Sequence, residues 1–185
     1  TGPTAPLYTA GTPKSQNLVV NSSAAGDAVF GSTVTAGSTT PGGYSSYQAT
    51  RTDAVNVAVL NFSAAYFSPR CVYTCSQKVR SLDGADMVLF FYDGAQVYEL
   101  RVSSTGTFVY SSNLIGYSID ALGSGWYWLR ARFIAAGSVG YNRISCYTNG
   151  ARVEAGEPQY WEGTSDLSYI ATTGTPYSLY YQQGL

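Results

Sequence analysis

The run Trp126-Tyr127-Trp128-Leu129-Arg130-Ala131-Arg132-Phe133 decides the fold class. In an extended chain Tyr127, Leu129, Ala131 and Phe133 fall on one side, and Trp126, Trp128, Arg130 and Arg132 on the other. A period of two, with one side apolar and the other polar or amphipathic, marks a strand that buries a single face. Upstream, Arg70–Arg80 alternates in the same way. Cys71, Tyr73, Cys75 and Val79 read as core, and Arg70, Thr74, Ser76, Lys78 and Arg80 as solvent-facing.

Further strands lie on both sides of this one. Val55–Phe62 is apolar on both faces and reads as a central strand. Ala85–Tyr92 and Ala95–Val102 flank Asp93-Gly94, a dipeptide that predicts a two-residue hairpin with positive φ at both central residues. Gly106–Tyr110 and Ile115–Leu122 extend this meander. Asn142–Tyr147 and Ala151–Glu154 flank an Asn149-Gly150 turn. Short β-prone pieces follow around Gln159–Trp161, Leu167–Ala171 and Tyr177–Tyr181. No window carries a helical stripe. About ten to twelve strands with hairpin connections imply an all-β, two-sheet antiparallel sandwich. Residues 1–16, with Pro3, Pro6 and Pro13, read as an extended N-terminal arm, and 17–185 as the sandwich. Ala36–Ser46, with Gly37, Pro41, Gly42 and Gly43, reads as a long surface loop.

Composition narrows the function. A chain of 185 residues fits one domain. Charged residues make up 11% and the net charge is −1, so there is no basic surplus for nucleic acid. No stretch approaches the roughly 18 apolar residues of a membrane span. Histidine is absent, which removes the Ser-His-Asp and Cys-His arrangements and the commonest zinc ligand. Three cysteines, Cys71, Cys75 and Cys146, read as free thiols from a reducing compartment. Asp83, Asp86 and Asp93 fall at hairpin ends, and Glu154, Glu157 and Glu162 in a turn-rich stretch. They read as turn residues and not as a glycosidase pair. No catalysis, cofactor or metal is expected. The chain opens on Thr1 and reads as a processed or excised piece.

Three pieces carry a resemblance: Asn17-Leu18-Val19-Val20-Asn21-Ser22, Gly125-Trp126-Tyr127, and Glu162-Gly163-Thr164-Ser165 leading to Ser168-Tyr169-Ile170-Ala171-Thr172. In this order they resemble the carbohydrate-binding-module-like jelly rolls of bacteriophage tail fibres, tailspikes and related virion proteins. This chain has Ala171 where those have proline. The resemblance implies a non-enzymatic jelly-roll module assembled in host cytoplasm and carried on the virion. Its partners would be a host-surface glycan and other virion subunits, commonly in a homotrimer. Two alternatives stand beside this reading. One is a capsid decoration or fibre-stabilising protein. The other is the binding module of a secreted polysaccharide-degrading enzyme.

The expected ligand contacts are aromatic and basic. Trp128 is a candidate stacking platform, with Arg130 and Arg132 donating to hydroxyls or acidic groups. The same face can instead be covered by a loop or a neighbouring subunit, with arginine stacked on tryptophan. Tyr44 and Tyr47 flank the glycine-rich loop, and Trp161 stands near the closing segment. These three complete the candidate set.

Overall fold

A computed structural model of the chain describes residues 13–18, 27–28, 32–52, 58–173 and 177–180. Its strands are β1 (Pro13–Asn17), β2 (Asp27–Ala28), β3 (Ser32–Thr39), β4 (Ser45–Arg51), β5 (Ala58–Tyr66), β6 (Val72–Ser81) and β7 (Met87–Tyr92). They continue with β8 (Val97–Val102), β9 (Phe108–Ser112), β10 (Gly116–Gly123), β11 (Trp126–Ile134), β12 (Val139–Ser145), β13 (Arg152–Glu162) and β14 (Tyr177–Tyr180). There is no helix among the described residues. Two six-stranded sheets, ordered β10-β11-β6-β13-β4-β3 and β2-β5-β12-β7-β8-β9, form the expected all-β sandwich, and every pairing is antiparallel.

The alternation places the core as the sequence implies. Leu129, Ala131 and Phe133 of β11 are buried against Met87, Leu89 and Phe91 of β7 and Tyr98 and Leu100 of β8. Phe91, Tyr98 and Phe133 form the aromatic centre, with ring centroids 4.7–4.9 Å apart. Aromatic pairs in such arrangements each add about 0.5–1.5 kcal/mol beyond area burial.

The connectivity is that of the expected jelly roll; the meander expected over residues 85–122 holds for β7-β8-β9 and breaks at β10, which joins the other sheet. The chain changes sheet on passing from β2 to β3, β4 to β5, β5 to β6, β6 to β7, β9 to β10, β11 to β12 and β12 to β13. The Asn149-Gly150 turn therefore joins two sheets and closes no hairpin. This wrapping is the jelly roll, and it leaves hairpins only at β3–β4, β7–β8, β8–β9 and β10–β11 among the consecutive described pairs.

The β7–β8 connection also differs in its chemistry. Only Gly94 has positive φ (93°), so the expected type I′ turn is replaced by a four-residue connection. Asp93 shapes it with its side chain. Oδ1 accepts from the Ala95 and Gln96 N–H groups at 3.0 and 2.8 Å. Oδ2 accepts from the Tyr98 hydroxyl at 2.7 Å and the Ala136 and Gly137 N–H groups at 2.6 and 3.0 Å. Burial pushes this carboxyl up, but the bonds from Gly137, Tyr98, Ala95 and Gln96 outweigh it and hold it at about 2.

Three further expectations are corrected. Ala36–Ser46 is not a long loop, because β3 runs to Thr39 and β4 begins at Ser45. Glu154 and Glu157 do not sit in a turn. They belong to β13, which runs unbroken for 11 residues. A register shift between Gly156 and Gln159 there admits Pro158 and sets Glu157 at φ 56°. The outer side of β6 is not all solvent-facing: Thr74 and Ser76 are buried, and the Thr74 hydroxyl donates to the Gly163 carbonyl at 2.7 Å.

Residues 13–16 of the expected arm lie in β1, which pairs with β14. Residues 1–12, 19–22, 55–57 and 181 of the predicted segments lie outside the described residues. The fully buried Asn17 ties the two ends of the resemblance together. Its amide donates to the Pro158 and Ile170 carbonyls at 3.2 and 2.7 Å, and its oxygen accepts from the Tyr160 N–H at 3.3 Å. Leu167–Ala171 forms no strand and instead lies in the closing segment, residues 163–173.

Candidate ligand-binding groove

Strand register lays out the outer face of the first sheet in rows. One row runs Asp120, Trp128, Lys78, Gly156 across β10, β11, β6 and β13. The next runs Ser118, Arg130, Ser76, Gln159. Above them lies a cavity of about 370 Å³ lined by Trp128, Lys78, Ser76, Gln159, Tyr44 and Tyr169, among others. This is within the usual range for small-ligand sites. A second hollow of similar size continues past Leu122 to Arg80 and Trp126. The two make a groove with aromatic rings at both ends.

Its walls are the β3–β4 turn and the closing segment. Tyr44 from the turn meets Tyr169 from the closing segment edge-to-face, with centroids 4.7 Å apart. The turn is held from beneath by a buried carboxylate. Thr40 N–H donates to the Tyr44 carbonyl at 2.8 Å, and the Thr40 hydroxyl donates to Glu157. The other oxygen of Glu157 lies 2.6 Å from Lys78 Nζ, an ion pair without the alignment of a hydrogen bond. A Cβ at Gly42 would lie 2.5 Å from Glu157 Oε1 and 2.7 Å from Lys78 Nζ, so a larger residue there would have to displace the ends of this ion pair.

Glu154 has the matching role nearer the start of β13. It accepts from Ser38 N–H at 2.6 Å, from the Ser38 and Ser46 hydroxyls, and from Arg80 Nε at 2.8 Å. Burial pushes its carboxyl up, but these bonds prevail and hold it below the usual carboxylate range.

Of the candidate residues, Trp128 and Tyr44 both line the cavity. Arg130 is placed differently. It is only 6% exposed, its guanidinium sits over the Trp128 ring at 4.2 Å, and it pairs with Asp120 and Asp166. Arg132 lies 3.6 Å from Asp166. Neither arginine lines the cavity and both pair with carboxylates; Arg130 braces the Trp128 ring, and the Nε of each arginine is buried without a hydrogen-bond partner. Tyr47 points inward from β4 and packs against the core, because its strand position shares the face of Ala49 and Arg51. Trp161 is fully buried, and its indole N–H donates to the Ser165 carbonyl. The closing segment covers the ring, so it cannot stack on a ligand.

The cavity residues outside the candidate set include Ser76, Lys78, Gln159 and Tyr169. Ser76 and Lys78 were legible on the polar side of Arg70–Arg80. Nothing local to the sequence placed Tyr169 opposite Tyr44. Among the described residues no group of three or more His, Cys, Asp or Glu is placed to hold a metal ion.

No family model matches this chain, and no curated protein matches it. Among solved structures, the CBM22-1 xylan-binding domain of Paenibacillus barcinonensis Xyn10C is similar with a TM-score of 0.51 at 16% identity. The match covers 85% of this chain and 100% of that domain. The CBM22-1–GH10 modules of Clostridium thermocellum endo-1,4-beta-D-xylanase 10B, complexed with xylohexaose, give a TM-score of 0.48 at 11% identity. That match covers 88% of this chain, which spans only 30% of the xylanase chain. The Paenibacillus likeness carries the fold, a jelly-roll sandwich.

Proposed function

We propose that this domain is a carbohydrate-binding module that holds a glycan in the Trp128–Tyr44–Tyr169 groove without transforming it, as the binding module of a polysaccharide-degrading enzyme. The observation that carries the reading is the cavity itself: a braced tryptophan on the sheet, two tyrosines on the walls and polar side chains on the floor. Aromatic faces take the apolar faces of sugar rings, and hydroxyl, amide and ammonium groups take their rims. The Paenibacillus domain of the same fold is a xylan-binding one. The carboxylates nearest the groove, Glu154 and Glu157, are each engaged by a cation and by hydroxyl donors, an arrangement that suits structure and not acid catalysis.

The virion setting and the homotrimer draw no support from these likenesses, since neither structure is a virion protein. The motifs behind that expectation have a structural purpose. Asn17 of the opening motif and Ile170 of the closing motif bond to each other. Such a stitch belongs to the sandwich whatever larger protein contains it.

Affinity electrophoresis and calorimetry with soluble xylan, mixed-linkage glucan and galactomannan test the proposal. At least one is expected to bind, and Trp128→Ala is expected to weaken it about tenfold or more, the loss of roughly 1.4 kcal/mol of stacking. Retention of none by the wild type, or unchanged affinity in Trp128→Ala, refutes it.

A further inference from the structure

We infer that the groove selects an uncharged sugar unit and that the Ser76 hydroxyl is its buried hydrogen-bonding point. This rests on the glycan-binding reading above. Ser76 is 1% exposed, lines the cavity, and its Oγ has no hydrogen-bond partner within the protein. Among the described residues the hydroxyls of Ser81, Ser118 and Ser145 are also buried without a partner, but of the four only Ser76 lines the cavity, and that placement marks it as a position kept for a ligand.

Geometry fixes what that ligand offers. Trp128 on β11 is the register partner of Lys78 on β6, and neighbouring strands lie about 4.8 Å apart. A sugar ring stacked on Trp128 therefore extends its edge over β6. There Lys78 and Ser76, two residues apart on the same face, meet the hydroxyls of that edge.

Charge excludes the acidic alternatives. Each cation on the outer face of β6 and β11 has a carboxylate near it: Lys78 has Glu157, Arg80 has Glu154, Arg130 has Asp120 and Asp166, and Arg132 has Asp166. Four cations face four carboxylates, leaving no net charge for an incoming anion. A uronate or sulfate group would have to break an existing pair and strand a carboxylate in a partly dry site. The cation that lines the cavity, Lys78, is already paired with Glu157, and the arginines expected to meet acidic groups are paired with Asp120 and Asp166 outside it.

The experiment takes whichever neutral polysaccharide the wild type binds, together with its sulfated derivative. The neutral polymer is expected to bind with a Kd that changes less than about twofold between low and high salt. The sulfated one is expected to bind at least tenfold more weakly. Ser76→Ala is expected to lower affinity about five- to tenfold, the loss of one hydrogen bond, at an unchanged Tm because no protein partner is lost. A sulfated polymer that binds as well or better overturns the inference, as does neutral binding that collapses in salt or Ser76→Ala binding like wild type. A wild type that binds neither polymer removes the proposed function itself, a result distinct from these.

Discussion

Replacing Asp93 by asparagine tests whether one side chain holds the β7–β8 connection to the loop after β11. The carboxylate is fully buried and accepts five hydrogen bonds, two at Oδ1 and three at Oδ2. Asparagine keeps one acceptor oxygen. Whichever way its amide turns, the NH2 faces two backbone N–H groups, either Ala95 and Gln96 or Ala136 and Gly137. Each stranded buried donor costs about 1–3 kcal/mol, so Asp93→Asn is expected to lose roughly 3 kcal/mol at neutral pH. The same carboxylate gives a pH signature. Its folded-state value of about 2 lies below the 3.8 of the free group. A depressed carboxylate stabilises the fold above the unfolded value, and that stability is lost as pH falls from about 4 toward 2. The gap corresponds to roughly 2 kcal/mol. Urea unfolding followed by tryptophan fluorescence, at steps from pH 7 to pH 2, measures both. Other carboxylates titrate equally in both proteins, so the difference between wild type and variant isolates Asp93. A loss under about 1 kcal/mol at pH 7, or parallel curves below pH 4, refutes the reasoning.

Two further outcomes follow from the carboxylate beneath the groove and from the amide at its side. Glu157→Gln removes the charge paired with Lys78 and is expected to cost about 1–3 kcal/mol, with weaker glycan binding because the Thr40–Tyr44 turn loosens; denaturant titration and calorimetry on the same preparation read both. Asn17→Ala is expected to cost about 1–3 kcal/mol and to raise amide exchange in the closing segment, since its bond to the Ile170 carbonyl is lost; hydrogen exchange localises the change.

The sandwich was legible because period-two alternation is local. Trp126–Phe133 carries its own instruction for which residues enter the core. Sheet membership was not legible, because a strand alternates identically whichever sheet it joins. That is why Asn149-Gly150 reads as a hairpin turn and proves to be a bridge between sheets. The groove was half legible. Trp128 and Tyr44 announce themselves by type and position. Trp161 alternates outward just as Trp128 does, and only the closing segment, folded back over it from further along the chain, separates a buried ring from an open one. Glu154 and Glu157 were hidden by Gly156 and Pro158, which read as a turn and form an irregularity inside a continuous strand.

The pairing of β1 with β14 has a mechanical consequence. Pro13 and Tyr180 are register partners, so chain arriving at one and chain leaving the other pass through nearly the same point. A domain held through both of these strands would hang from that point like a pendant. Tension between its flanking segments would pull the ribbon apart rung by rung, a weak loading mode, and would spare the sheets that carry the groove. The peeling runs from Pro13 toward Asn17, whose buried amide is fastened to both β13 and the closing segment. Asn17 is where the yielding ribbon ends and the load reaches the body of the domain.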